Sequence, residues 1–345
     1  MTKLKKYDVI IVGAGPAGLN CAKELGGSNL SVLIAEKNSE IGPKVCAGGL
    51  TGKSIASINL PEHLLEFKYN NVQLFHKKSP YNLKDKENYA YTINRKELGQ
   101  WQLQQLKDFS NIEVKTNFRV SKITDKYVII NDEKINYSFL IGADGSSSLV
   151  KRYLKKHSKN VGIALQYIIP TSKYKNFEFH FDSKLFSAWY SWVFPHRDFV
   201  SIGCCAMPSK IAPKQLRENF SIWLKENNID TSEGIFETGS INGDYQGYQF
   251  NNNVFLAGDA GGFASSLTGE GIYQALVSGK EIGKIILDKN YHSYEIDNLI
   301  KLQKKHTKLL NTLLKLGKLR PLFIHYGRYL LNYSPFKKYI LKTIA

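Results

Sequence analysis

The stretch Tyr7 to Leu19, YDVIIVGAGPAGL, constrains this chain more than any other, because it sets an apolar run directly before a glycine-rich turn and the start of a helix. Asp8 aside, Tyr7 to Val12 is apolar and rich in β-branched residues, the composition of a parallel strand covered on both faces. Gly13, Gly15 and Gly18 follow in GxGxxG spacing. In such a turn the first glycine permits a tight bend, the second lets backbone approach a pyrophosphate, and the third allows close helix-strand packing. The helix N-terminus then offers an anion site. Alone the pattern is weak, so context carries the weight. A second strand, Ser31 to Ala35, runs into Glu36, eighteen residues after Gly18, where a carboxylate can hold a ribose. The stretch reads as a dinucleotide-binding βα unit.

A chain of 345 residues that is 43% hydrophobic can bury a large core and has the length for two domains. Cys21, Cys46, Cys204 and Cys205 show no framework spacing, and no apolar leader follows Met1, so a cytoplasmic location is expected. No metal-ligand spacing is present, and charge-free runs such as Tyr245 to Gly258 are too short and polar to span a bilayer. The net charge of +17 is unevenly placed: Lys301 to Ala345 holds eleven Lys or Arg and no Asp or Glu. Nucleic acid is one candidate for so basic a segment. Yet Leu299, Leu302, Leu309, Leu313 and Leu316 recur near helical spacing there, which suits an anionic lipid surface better. A peripheral membrane position is therefore expected, and no nucleic-acid partner.

Downstream of Glu36, the stretch Gly42 to Leu50 is loop-like, with small residues that let backbone lie close to a ligand. Tyr91 to Arg95 reads as a strand entering a helix over Lys96 to Leu106, and Ile112 to Thr116, Tyr127 to Asn131 and Phe139 to Ile141 have strand character. Between Lys151 and Asn251 the pattern changes to alternating, aromatic-rich strands with one helix near Lys214 to Glu226. The first pattern then returns, with a buried strand Val254 to Asp259 and a helix from Gly271 to Leu287. The expected architecture is α/β (α+β): a Rossmann-like nucleotide domain over 1–150 plus 252–290, an inserted antiparallel-sheet substrate domain over 151–251, and a basic helical C-terminus over 291–345. Parts of 50–110 are expected on the substrate side.

Four separated pieces resemble the flavoprotein group of p-hydroxybenzoate hydroxylase and, within it, the geranylgeranyl reductase family. They are GAGPAG with Glu36; Arg95 in Tyr-x-Ile-x-Arg-x-x-Leu; Ala143-Asp144-Gly145 with Ser146 to Ser148; and Ala257-Gly258-Asp259-Ala260 running to Gly269-Glu270-Gly271-Ile272. The resemblance implies FAD, held by Gly13, Gly15, Pro16, Ala17, Gly18, Glu36, Lys37, Arg95, Asp144, Gly258, Asp259, Gly271 and Ile272. Asp259 would meet the ribityl or phosphate region, with the Gly271 and Ile272 N–H groups near the flavin ring.

Two further motifs select the reductase branch. Lys44-Val45-Cys46-Ala47-Gly48-Gly49-Leu50 is similar to the family's cysteine-glycine motif, and Tyr190-Ser191-Trp192-Val193-Phe194-Pro195 matches Tyr-x-Trp-x-Phe-Pro. Ala47 stands where glycine is common, and Gly203-Cys204-Cys205 replaces a usual Gly-x-Gly. The resemblance implies reduction of carbon-carbon double bonds in a prenyl chain of a lipid, quinone or pigment by hydride from flavin N5. Cys46 or a water is the expected proton source. Gly48, Gly49, Tyr190, Trp192, Phe194 and Pro195 are expected against the substrate, with NADPH or a ferredoxin-type protein as electron donor. An alternating aromatic strand is also what a plain core would contain, and Cys21, Cys204 and Cys205 read as packing residues. A flavin monooxygenase or halogenase on the same fold remains an alternative, as does a non-catalytic prenyl-binding carrier.

Overall fold

A computed structural model describes residues 5–76, 78–331 and 337. The apolar run at the N-terminus is the strand Lys5–Val12, central in an eight-stranded sheet. It pairs in parallel with Val32–Ala35 on one side and with Glu133–Gly142 on the other. Ile112–Lys115 and Val254–Leu256 extend the parallel part outward. Alternation along the central strand feeds two separate cores. Val9 and Ile11 point into one with Cys21, Leu25 and Ile282. Ile10 and Val12 point into another with Val128, Ile130, Ile135 and Val150. Because both faces are covered, the run is apolar without interruption.

Two helices cover the first face, Pro16–Leu25 and Ile272–Leu287. Their backbones come so close that a Cβ on Gly279 would lie 2.1 Å from the Ala17 carbonyl oxygen. A glycine there lets the late helix lie on the helix that opens at the GxGxxG turn, bringing residues 258–272 back to the turn.

The second sheet has seven strands, in the order Ile235–Asn242, Val161–Ile169, Val200–Ala206, Ser191–Pro195, Phe177–Phe181, Asn71–His76 and Ser79–Lys84. All neighbours are antiparallel except Phe177–Phe181 with Asn71–His76, which run in parallel. The inserted sheet is thus mixed at one joint. Its other face packs Phe220 and Trp223 of the helix Pro213–Glu226. A small three-stranded sheet, Gly49–Thr51, Ala90–Thr92 and Phe67–Tyr69, bridges the two large ones.

The long late helix Tyr294–Lys315 is capped by Ser293, whose hydroxyl accepts the Ile296 N–H. Its inward stripe is Ile296, Leu299, Gln303, His306 and Leu310. The leucine spacing that suggested a lipid-facing stripe is therefore largely spent on the protein: Leu299 is core, Leu302, Leu313 and Leu316 are half-buried, and Leu309 is exposed. The physical reason is that this helix must cover loop 265–269 and the nucleotide sheet. A group of large exposed apolar residues lies further on, at Leu319 and, on the helix Arg320–Leu330, at Leu322, Phe323 and Tyr326. Lys338 and Lys342 of the basic tail lie outside the described residues. No described helix is long and apolar enough to cross a membrane, and no described cluster of His, Cys, Asp or Glu could hold a metal ion.

Candidate active site

At the nucleotide end, backbone does most of the shaping. Gly13 adopts φ +101°, and a Cβ on it would lie 2.5 Å from the Ala143 carbonyl oxygen. A Cβ on Gly18 would lie 2.1 Å from the Gly13 carbonyl oxygen, so strand, turn and helix close up as the motif spacing implies. Gly15, by contrast, faces open space at the N-terminus of the helix Pro16–Leu25. The Glu36 carboxylate is buried; one oxygen accepts the Ala14 N–H at 2.8 Å and the other the Asn38 N–H at 2.9 Å. Each oxygen keeps a second lone pair for a hydroxyl donor. Lys37 is exposed beside it.

Three further fingerprint residues are buried or half-buried. Arg95 begins the helix Arg95–Gln104, is buried, and its Nε has no hydrogen-bond partner. Asp144 follows Ala143; its Oδ2 accepts the Leu149 N–H at 2.6 Å, while its Oδ1 is buried and unpartnered. Desolvation raises the Asp144 pKa even though part of its surface reaches solvent. Asp259 sits in the 3-10 turn Gly258–Ala260 with Lys44 Nζ 3.7 Å away. A Cβ on Gly271 would come within 3.1 Å of Asp259 Oδ1, so the start of the helix Ile272–Leu287 lies against this carboxylate. Unpartnered buried polar atoms, an open Gly15 and two helix N-termini fit a bound dinucleotide.

At the other end the site is built from side chains. Tyr190 stands one residue ahead of the strand Ser191–Pro195, and its hydroxyl donates to the Thr268 carbonyl. Trp192 and Phe194 follow on the same face: Tyr190 and Trp192 ring centroids are 6.3 Å apart, Trp192 and Phe194 6.2 Å. Trp192 Nε1 donates to Ser201 Oγ at 3.0 Å, and Phe194 stacks on Phe177 at 3.9 Å. This wall faces the cysteine loop, since a Cβ on Gly49 would meet Phe194 at 2.9 Å. Gly203 is required by the same wall: a Cβ there would lie 2.2 Å from Trp192 Cζ2. The departure at Cys205 leaves a buried thiol near the Tyr190 backbone, and burial pushes that thiol up to about 12. Cys204 is buried as well, its thiol pushed up by desolvation, as befits strand neighbours in a sheet covered on both faces. Cys21 is fully buried in the nucleotide core.

Cys46 is half-buried, and its Sγ accepts the Gly48 N–H at 3.4 Å. Further residues that the motifs assigned no role complete this end. His196 directly follows Pro195, and its ring is bracketed by Glu66 and the Ala47 carbonyl. Glu270 accepts from Thr51 Oγ1 at 3.1 Å and from Gln274 Nε2 at 3.4 Å. Protein surrounds the Glu270 carboxyl closely enough that desolvation raises its pKa, although a part of the residue is accessible. Glu270 stood inside a quoted motif and His196 beside another. Nothing local in the sequence pairs His196 with Glu66, which lies 130 positions earlier.

Known proteins share the sequence and the fold. Residues 1–113 match the Thi4 family model. An uncharacterised protein of Methanosarcina barkeri is 29% identical over 83% of the chain and 76% of its own length. The digeranylgeranylglycerophospholipid reductase of Methanococcus vannielii is 28% identical over 90% of the chain and 86% of its own. The geranylgeranyl diphosphate reductase of Rhodobacter capsulatus is 25% identical over 80% of the chain and 73% of its own. Among solved structures, a geranylgeranyl bacteriochlorophyll reductase-like protein of Thermoplasma acidophilum superposes with a TM-score of 0.77 at 21% identity, covering 92% of this chain and 89% of that one. The flavin-dependent brominase Bmp2 gives 0.70 at 15% identity, covering 98% and 93%. Named reductase relatives and flavoprotein fold neighbours together define an FAD-dependent oxidoreductase. The resemblance read from the motifs holds over most of the chain, which is geranylgeranyl reductase-like.

Proposed function

We propose that this protein saturates carbon-carbon double bonds of a geranylgeranyl-type chain carried by a lipid, quinone or pigment. The observation that carries the reading is the aromatic wall of Tyr190, Trp192 and Phe194 standing against the Cys46–Gly49 loop. The cradle for FAD is Gly13 to Gly18 with Glu36 and Lys37, closed by Arg95, Asp144, Gly258, Asp259, Gly271 and Ile272. Bound and reduced, FAD supplies a hydride from N5.

All else falls to the chain's own side chains. The aromatic wall and Gly48, Gly49 and Pro195 exclude water and hold the isolated alkene in place, since no carbonyl polarises it. The Cys46 thiol gives its proton to the alkene carbon that does not take the hydride, and the thiolate recovers a proton from solvent. Reducing equivalents come from NADPH or a ferredoxin-type protein. The substrate is reached from an anionic membrane surface by way of Leu319, Leu322, Phe323 and Tyr326, flanked by the exposed Lys315 and Lys318.

The test mixes anaerobic, dithionite-reduced protein with geranylgeranylated lipids and follows product mass. Products heavier by two hydrogens per bond are expected; no gain across several prenyl substrates would sink the proposal. The rival supported by the brominase-like fold, an oxygen-using flavoenzyme, would instead show substrate-stimulated oxygen uptake and an oxygenated or halogenated product. A non-catalytic prenyl carrier is disfavoured by the unpartnered Arg95 and Asp144 atoms, which a carrier without nucleotide would leave buried at a cost.

A further inference from the structure

His196 and Glu66 are a buried hydrogen-bonded pair, with side chains 2% and 4% exposed. Three segments meet at it: the end of the aromatic strand, the residues after the 3-10 turn Glu62–Leu64, and the cysteine loop. The Ala47 carbonyl can only accept, so the His196 Nε2 that lies 3.0 Å from it carries a hydrogen. Nδ1 then faces Glu66 Oε2, while Glu66 Oε1 accepts the Arg197 N–H at 3.3 Å. Phe199 stacks on the ring at 4.2 Å and closes the remaining face.

The carbonyl that His196 grips belongs to the same peptide unit as the Gly48 N–H, and that N–H donates to Cys46 Sγ at 3.4 Å. One peptide plane therefore joins the imidazole to the sulfur. In a trans peptide the C=O and N–H point in opposite directions, so fixing one end aims the other. A donor on the carbonyl also polarises the peptide and strengthens its N–H as a donor. The arrangement has no slack: Gly48 adopts φ +75°, and a Cβ on it would lie 2.5 Å from His196 Cε1 and 2.7 Å from the Ile93 carbonyl oxygen. The Gly48 carbonyl in turn accepts the Ile93 N–H at 3.0 Å.

We propose that His196, held by Glu66, is a positioning residue that aims the Ala47–Gly48 peptide at Cys46 and thereby stabilises the Cys46 thiolate. The proposal rests on Cys46 as the reactive group of the site, but its test does not require turnover. Cys21, Cys204 and Cys205 are buried, so alkylation by iodoacetamide under native conditions reports Cys46. Asn at 196 retains an amide near the Nδ1 position and loses the donor to Ala47; Gln retains a donor near Nε2. At a fixed pH of about 7 the alkylation rate of His196→Asn is expected to fall about tenfold, the worth of one hydrogen bond, and that of His196→Gln to stay within about threefold of the parent. Glu66→Gln, which keeps the shape and removes the charge, should give an intermediate fall and serves if His196→Asn does not fold. An unchanged rate in both His196→Asn and Glu66→Gln, or a rise from a loosened loop, would overturn the proposal. Prenyl reduction measured on the same variants separates the two readings: a slowed thiol with no prenyl product in any protein leaves the positioning role standing and removes the substrate.

Discussion

The two ends of the site are built from different material. At the nucleotide end the shape is made by backbone: a Cβ on Gly13 or Gly18 would lie 2.5 or 2.1 Å from a carbonyl oxygen, and the Glu36 carboxylate accepts two backbone N–H groups. At the reaction end the shape is made by side chains from at least four distant stretches, with Tyr190, Trp192 and Phe194 facing Gly49, His196 clasped by Glu66, and Glu270 held by Thr51. A backbone cradle tolerates little change and binds a constant partner. A side-chain chamber can be retuned residue by residue, and it is here that the departures at Ala47 and Cys205 fall.

Substitution of Gly18 by Val is the severest way to probe this contrast. It must force the helix Pro16–Leu25 off the Gly13 carbonyl, so a loss of about 3 kcal/mol of stability is expected, with FAD affinity down by at least about a hundredfold. Thermal unfolding and flavin fluorescence titration would show it; a flavinated, stable variant would mean the cradle is looser than its contacts imply.

Next in size is a pH effect confined to the reaction side. His306 Nδ1 lies 2.8 Å from Ser265 Oγ, which also accepts the Thr268 N–H at 3.0 Å and so braces the loop under Tyr190. Burial, helped by the charges of Lys305 and Lys53, lowers the His306 imidazole to about 4, against 6.5 for a free histidine. Between those values the unfolded chain binds a proton that the folded chain refuses. The contribution is complete above about pH 6.5 and shrinks by up to about 3 kcal/mol as pH falls towards 4. His306→Gln should flatten this part of the stability profile in denaturant titrations; an unaltered slope would place the pH sensitivity elsewhere.

Glu36→Ala is milder than the glycine change, because it removes acceptors without moving the backbone. About 2 kcal/mol of FAD affinity should be lost, with the fold retained, by fluorescence titration and circular dichroism. The smallest effect is expected from Tyr190→Phe, which gives up one hydrogen bond to the Thr268 carbonyl for about 1 kcal/mol of stability and leaves FAD affinity unchanged. If Tyr190→Phe loosened FAD while Glu36→Ala did not, the division between a backbone cradle and a side-chain chamber would fail.

Legibility follows the same division. Strand Lys5–Val12, the turn, Glu36 and the helix Ile272–Leu287 could be read directly, because a covered parallel strand must be apolar and a pyrophosphate turn must be glycine. The helix over Tyr294–Lys315 was legible as a helix but not as to what it faces. Its leucines look the same whether they meet lipid or protein, and packing into the nucleotide-domain core took Leu299 inward while Leu309 stayed exposed. The aromatic strand was likewise visible as a strand with one aromatic face. That Gly203 makes room for Trp192, and that Phe194 lies on Gly49, are consequences of sheet register.

By itself, then, the sequence determined what lies within reach of a few bonds: the βα turn, its FAD-type fingerprint, the alternation of the aromatic strand and the basic, acid-free C-terminal stretch. Only the tertiary structure decided which residues meet. Glu66 and His196 are 130 positions apart and carry no shared pattern, yet the parallel joint of the second sheet and the small bridging sheet bring them to one carbonyl beside Cys46. Local propensity acts over single turns and strands, whereas the pairing of a buried charge depends on chain closure over long loops, which no periodicity records.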